Sequence, residues 1–117
     1  MANVQQAVGK VVLFRRVDGT TEIGELTGVI PNGGVLLFKQ GDPVLMNNIE
    51  TLKPIGPDEA GQIFVDRNAT AGGEHSRAAL YPSAGWLAGM FPNRFADEHE
   101  AVSFMLELQP SSELPEP

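Results

Sequence analysis

The side chains with catalytic potential are few. His75 and His99 are the only imidazoles in 117 residues, and Asp66, Glu74, Asp97 and Glu98 are carboxylates that could join them. Together they make up the stock from which a metal site or an acid–base pair would be built. Their spacing does not assemble one. There is no HExxH helix, and no two histidines stand one helical turn apart. His99 falls in the first turn of a helical pattern, where solvent exposure is normal. The chain has no cysteine, which removes disulfides, thiolate zinc sites and cysteine nucleophiles together. No serine sits in a nucleophile elbow, and no GxGxxG or GK[ST] loop is present. His75, Asp66 and Arg77 are the one group worth mutating for activity. The chain therefore reads as non-enzymatic, with no catalytic residue, no metal site and no cofactor.

Two stretches suggest binding instead. In "TAGGEHSR" (residues 70–77) Gly72-Gly73 precede a helical start, and free N–H groups there with Ser76 and Arg77 would suit a phosphate or carboxylate. In "YPSAGWLAGMFPNRF" (residues 81–95) the single Trp and single Tyr lie close together among Phe91, Phe95 and Met90. One reading makes this segment a second core that caps the first half. The other makes it a partner surface, because aromatics and Met among small residues suit interface hot spots. Tyr81, Trp86, Met90, Phe91 and Arg77 are the predicted partner- or ligand-binding residues.

The net charge is −7, and its distribution limits the partners. Residues 1–56 balance Lys10, Arg15, Arg16, Lys39 and Lys53 against five carboxylates, so the whole acidic excess lies in residues 57–117. Nucleic-acid affinity rests largely on phosphate neutralisation, so nucleic acid is disfavoured. No apolar run is long enough to span a membrane, and "MANVQQAVGK" has no signal-peptide pattern. The expectation is a cytoplasmic protein.

These residues must be positioned by elements that the pattern also predicts. "KVVLFRRV" (residues 10–17) reads as a strand with Val12, Phe14 and Arg16 on one face and Val11, Leu13 and Val17 on the other. Asp18-Gly19 predicts a two-residue type I′ hairpin turn. In the return strand Ile23 and Leu26 break period-2 alternation, and Gly24 between them predicts a bulge that returns both to the core. Beyond it Leu26, Gly28 and Ile30 are expected to share a face. "PNGG" (31–34) and "QGDP" (40–43) predict turns around the strand 35–39. Residues 44–46 predict a short strand, 47–49 a helical turn and 50–55 a closing strand.

In the second half "GPDEAG" (56–61) reads as a linker and "QIFVD" (62–66) as a further short strand. Helices are expected over 74–81, stopped by Pro82, and over 83–91. The strongest helix is 97–108, with Asp97 as N-cap, Glu100 completing the box, and Val102, Met105 and Leu106 as its apolar stripe.

Gly19, Gly24 and Leu26 match the second-strand pattern of the Sm-like family: glycine, four residues, glycine, one residue, leucine. "VLMNNIETLKPI" likewise resembles the short fourth strand, helical turn and fifth strand that close such folds. Over residues 10–55 the chain resembles the Sm-like and SH3-like small β-barrels. The family's RNA-binding aspartate and asparagine are replaced by Ile30 and Gly34, and the isoleucine-arginine-glycine triplet is missing from "VLMNN". The resemblance therefore implies the fold without the RNA site.

The expected fold is α+β, mainly β: a five-stranded bent SH3/Sm-like barrel over 1–56, then a strand and helices over 57–109 packed on it in the same compact domain, then a disordered acidic tail over 110–117. The expected function is protein–protein contact with self-association, through the strand 44–46 and the helix 97–108. The alternative is a small anionic or aromatic ligand held between barrel and extension by Trp86, Phe91 and Arg77.

Overall fold

A computed structural model describes residues 4–70, 72 and 75–111 of the chain. The fold is mixed α+β, with a five-stranded antiparallel sheet and three α-helices, and it divides into two compact units, Met1–Gly56 and Pro57–Pro117. The helices take 14, 14 and 9 residues, so helix outweighs strand and the mainly-β expectation is corrected.

In the first unit the strands are β1 (Val11–Arg16), β2 (Thr21–Ile30), β3 (Val35–Phe38), β4 (Val44–Leu45) and β5 (Ile49–Pro54). Their order is β4-β3-β2-β1-β5, which leaves β4 and β5 as edges, and the sheet is not closed into a barrel. A 3₁₀ turn, Met46–Asn48, joins the two edge strands. Its backbone is tied at both ends, with the Met46 N–H donating to the Gly34 carbonyl (2.7 Å) and the Val17 N–H to the Asn48 carbonyl (2.9 Å).

The β1–β2 hairpin turns at Gly19, whose φ is +94°. It does so through a three-residue loop rather than the expected two-residue type I′ turn. The Gly19 N–H donates to the Arg16 carbonyl (2.9 Å) and the Arg16 N–H to the Thr20 carbonyl (2.8 Å). That pattern needs positive φ at the glycine and is a common hairpin closure. The β2 bulge also falls elsewhere than expected. Gly24 pairs with Val12 in regular register, whereas Leu26 faces Phe38 and Gly28 faces Leu37, so Thr27 is the extra residue. Before the bulge Leu26 is on the core face; after it the core-facing residue is Val29. Ile23 pairs with Leu13 on the opposite face, and Ile30 is 45% exposed. The physical reason is Phe38, whose ring packs where a Gly24 side chain would be: a Cβ there would lie 3.0 Å from Phe38 Cδ1. Gly24 makes room for a ring, and the bend is supplied three residues later.

The core of this unit is Val12, Phe14, Leu26, Leu36, Val44 and Ile49, joined by Val4 and Ala7 from a 3₁₀ turn at Val4–Ala7. Each fully buried aliphatic side chain there contributes on the order of 2 kcal/mol relative to exposure.

The second unit is helical from its first residue. α1 runs Pro57–Thr70, which overturns both the linker at 56–61 and the strand at 62–66. Pro57 takes the first helical position, where its missing N–H is no loss, and Asp58 and Glu59 complement the dipole in the first turn. Gly61 looked like a linker residue but is a contact residue: a Cβ there would stand 2.5 Å from Phe104 Cε2. α2 runs unbroken through Arg77–Met90 with Pro82 inside it, so the two predicted helices are one. Ser76 caps it, accepting from the Ala79 N–H at 3.2 Å. Pro82 deprives the Ala78 carbonyl of a donor, but both residues are exposed, so water takes that place. Leu80, Ala84 and Leu87 form the continuous buried stripe that holds the helix together. The predicted start at Glu74 lies outside the described residues.

α3 spans Glu98–Leu106, ending two residues sooner than expected, and Asp97 is its N-cap. The Asp97 carboxylate accepts from the Glu100 N–H (3.0 Å), and Glu100 reaches back to the Ala96 N–H (2.8 Å). Ala101, Val102 and Met105 are buried beneath it.

Candidate functional site

The predicted partner- or ligand-binding residues all fall on α2 or at its end, and the helix separates them. Arg77 and Tyr81 are four residues apart and share one side; Trp86 and Met90 are four apart and share another. Phe91 is the C-cap, its N–H donating to the Leu87 carbonyl. Trp86 is 51% exposed and stands with Ala78, Pro82 and Gly89 on the outward face. Phe95, from the same aromatic segment, is fully buried against Phe104 with ring centroids 5.3 Å apart. The Arg94 guanidinium lies over both rings, at 4.7 and 5.0 Å. The segment thus supplies a core residue and an exposed Trp, not one converging cluster.

The imidazoles are structural ties. The Tyr81 hydroxyl is 2.6 Å from His99 Nδ1 with the rings edge-on, which links α2 to α3 at the surface. His75 Nε2 lies 3.0 Å from the Met105 carbonyl. His75, Asp66 and Arg77 therefore face different partners or solvent, and no charged or polar side chain is fully buried among the described residues. Nor do three His, Asp or Glu side chains gather into a metal-binding group among them. The Gly72-Gly73 loop includes Gly73 and Glu74, which lie outside the described residues, as does the tail 112–117.

Two arrangements were missed by sequence reasoning. The first is an apolar row across the outward face of three strands. Ile30 pairs with Val35 and Val35 with Leu45, so the row runs to the β4 edge, and Ile30 and Leu45 are 45% and 53% exposed. The signal was the parity of β2, hidden by placing the bulge at Gly24. The second is a polar pair on α1. Gln62 Nε2 donates to Asp66 Oδ1 (3.0 Å) and to the Gln109 carbonyl (2.7 Å), and Asp66 Oδ1 accepts from the Ser111 N–H (2.6 Å). A Gln–Asp pair at i,i+4 is a helix-face signal, lost when 62–66 was read as a strand.

The surface of the first unit is electrically quiet. Arg15 pairs with Glu50 at 3.0 Å, Arg16 with Glu22, and Lys39 approaches Glu25 at 4.0 Å. These pairs are exposed and each contributes well under about 1 kcal/mol to stability. No helix among the described residues is long and apolar enough to cross a membrane.

The chain matches no protein-family model, no curated protein and no solved structure.

Proposed function

We propose that this is a non-enzymatic protein whose first unit is an open small barrel of the SH3/Sm-like kind, acting through protein–protein contacts and self-associating along the β4 edge. Support for the barrel comes from the strand order β4-β3-β2-β1-β5 and from the ten-residue bulged β2 at its centre. Support for the contact comes from one observation above all: the row Ile30, Val35, Leu45 is apolar and ends at β4, which has no second strand partner among the described residues. An exposed edge with apolar side chains beside it is what natural sheets cover by pairing or by a partner. The opposite edge, β5, carries Glu50, Lys53 and Pro54, the residue types that blunt an edge. Nucleic acid is a poor partner for this reading, because Arg15, Arg16 and Lys39 already face carboxylates.

Native mass spectrometry tests the proposal directly. A multiple of the 12.5 kDa chain that collapses to the monomer in Leu45→Lys supports it. A bare monomer at tens of micromolar, with or without the substitution, counts against self-association. A monomer carrying extra small mass would redirect the search to a ligand.

A further inference from the structure

We propose that Asn32 is a self-modification site: in the folded chain the Gly33 backbone nitrogen attacks its carboxamide, and water then converts the residue to isoaspartate and aspartate. Of the asparagines in the chain, Asn32 alone precedes a glycine. A following glycine has no Cβ to shield the amide nitrogen that must approach. The Gly34 N–H donates to the Pro31 carbonyl at 3.3 Å, so Asn32 and Gly33 are the central pair of the turn between β2 and β3. Both are exposed, and among the described residues neither the Asn32 carboxamide nor the Gly33 N–H is engaged in a hydrogen bond. The two reacting groups are therefore unheld and open to water.

Asp18-Gly19 is the other dipeptide of the chain that can close the same ring, and there the fold restrains both groups. The Asp18 carboxylate accepts from the Thr20 N–H at 2.9 Å and from its hydroxyl at 2.7 Å, and the Gly19 N–H donates to the Arg16 carbonyl at 2.9 Å. Cyclisation must break those bonds first; at Asn32 neither reacting group has one to break. At Asn32 the Gly33 amide gives its proton to hydroxide and its nitrogen bonds to Cγ. The carboxamide C–N bond breaks, and ammonia leaves on taking a proton from water, closing a succinimide. Water then opens the ring at Cγ, leaving aspartate, or at the backbone carbonyl, leaving isoaspartate with the chain running through the side chain. The balance is carboxamide plus water to carboxylic acid plus ammonia, with no oxidant or reductant. Either product adds a negative charge to the turn, and isoaspartate adds a backbone methylene as well. This turn closes the Ile30–Val35 pair, and the Gly34 carbonyl beside it holds the Met46 N–H at 2.7 Å. The change therefore strikes the β3–β4 side of the sheet, whether or not that edge self-associates.

The test is ageing of the full-length chain at physiological temperature and pH, once native and once in guanidinium chloride. Cleavage after Glu22 and Glu25 puts positions 18 and 32 in separate peptides, and electron-transfer fragmentation tells isoaspartate from aspartate in each. The expected result is a gain of about 1 Da at position 32 in the native chain, at a rate close to that in denaturant. Isomerisation at position 18, by contrast, is lost on folding. Gly33→Ala is expected to lose the conversion at position 32. Gly33 needs no positive φ, and a Cβ there meets only Val35 Cγ2 at 3.6 Å and Ile30 Cγ2 at 3.7 Å, so the turn accepts the variant. An Asn32 that stays intact in the native chain while the denatured chain converts it overturns the proposal, and this comparison needs no variant. Conversion undiminished in Gly33→Ala overturns it equally.

Discussion

Both units place a glycine beneath a phenylalanine, and the two contacts differ in how much freedom the ring has. In the sheet, Gly24 lies under Phe38, with 3.0 Å from a would-be Cβ to the nearest ring carbon. Phe38 is partly buried, as Phe104 is, but it stacks on Phe14 at 5.0 Å and needs to yield only a few tenths of an ångström. Among the helices, Gly61 lies under Phe104 at 2.5 Å, and that ring is held by Phe95 on one side and the Arg94 guanidinium on another. The helical unit therefore depends on its glycine more than the sheet does. Where chain elements meet as rods, a missing side chain sets the distance between them; where strands are already spaced by hydrogen bonds, it only makes room for a ring.

The largest effect expected in either unit comes from plain burial, which sets the scale for the comparison. Leu36 is completely buried at the centre of the first core. Leu36→Ala is expected to cost about 2–5 kcal/mol, measured by urea unfolding followed through an amide or fluorescence probe in that unit. A loss below ~1 kcal/mol would mean that the sheet does not hold its core as described.

Next comes the helical glycine. In a solvent-facing helix Gly→Ala gains up to about 1 kcal/mol. Gly61→Ala is expected to reverse that sign and lose about 1–3 kcal/mol, because a Cβ 2.5 Å from the ring forces it to move against Phe95 and Arg94. A stabilised Gly61→Ala protein would show that α1 and α3 are not in contact at this point, and the comparison above would fail.

The same contacts explain how much could be read from sequence. In the first unit the strands, the turns at Gly19 and Gly34, and the order of elements are local matters, set by alternation and by glycines that need positive φ. The α3 cap was equally local, since Asp97 and Glu100 bond to backbone three or four residues away. What was misread was set by distant residues. Gly24 is explained by Phe38 and Gly61 by Phe104, fourteen and forty-three positions on, and neither partner is visible in a local window. Pro82 is carried inside α2 by a buried stripe on the far side of the helix. The candidate residues suffered likewise: Tyr81, Trp86, Met90, Phe91 and Arg77 were found as a segment, and helical geometry then spread them over different faces.

A smaller effect of opposite sign sharpens the contrast within the helical unit. Nothing lies within 4 Å of a Cβ at Gly89, and at Gly85 the nearest atom is the flexible end of Glu98, 3.4 Å away. Gly89→Ala is expected to stabilise by about 0.5–1 kcal/mol, and Gly85→Ala to change little. Thermal unfolding of the three variants should therefore rank Gly89→Ala above the parent and Gly61→Ala well below it. Equal shifts for all three would mean that helix propensity, not the Phe104 contact, governs these sites.

The smallest effect is at the hairpin turn, where the sheet is most local. The Asp18 carboxylate accepts from the Thr20 N–H at 2.9 Å and from its hydroxyl at 2.7 Å. The backbone bond first, and the hydroxyl bond second, hold its pKa below the usual 3.8. Both bonds favour the charged form, so the folded value is the depressed one. The turn's stabilisation is then complete above the unfolded value of about 3.9 and is lost as pH falls through the lower folded value. The Thr20 amide shift should titrate below pH 3.8 in the parent chain and stay flat in Asp18→Asn, which keeps the acceptor but not the proton. Because the group is wholly exposed, water competes for every bond it makes, and the global unfolding midpoint should not follow the titration. A Thr20 shift that tracked global unfolding instead would make this turn a cooperative part of the core, as Gly61 is among the helices.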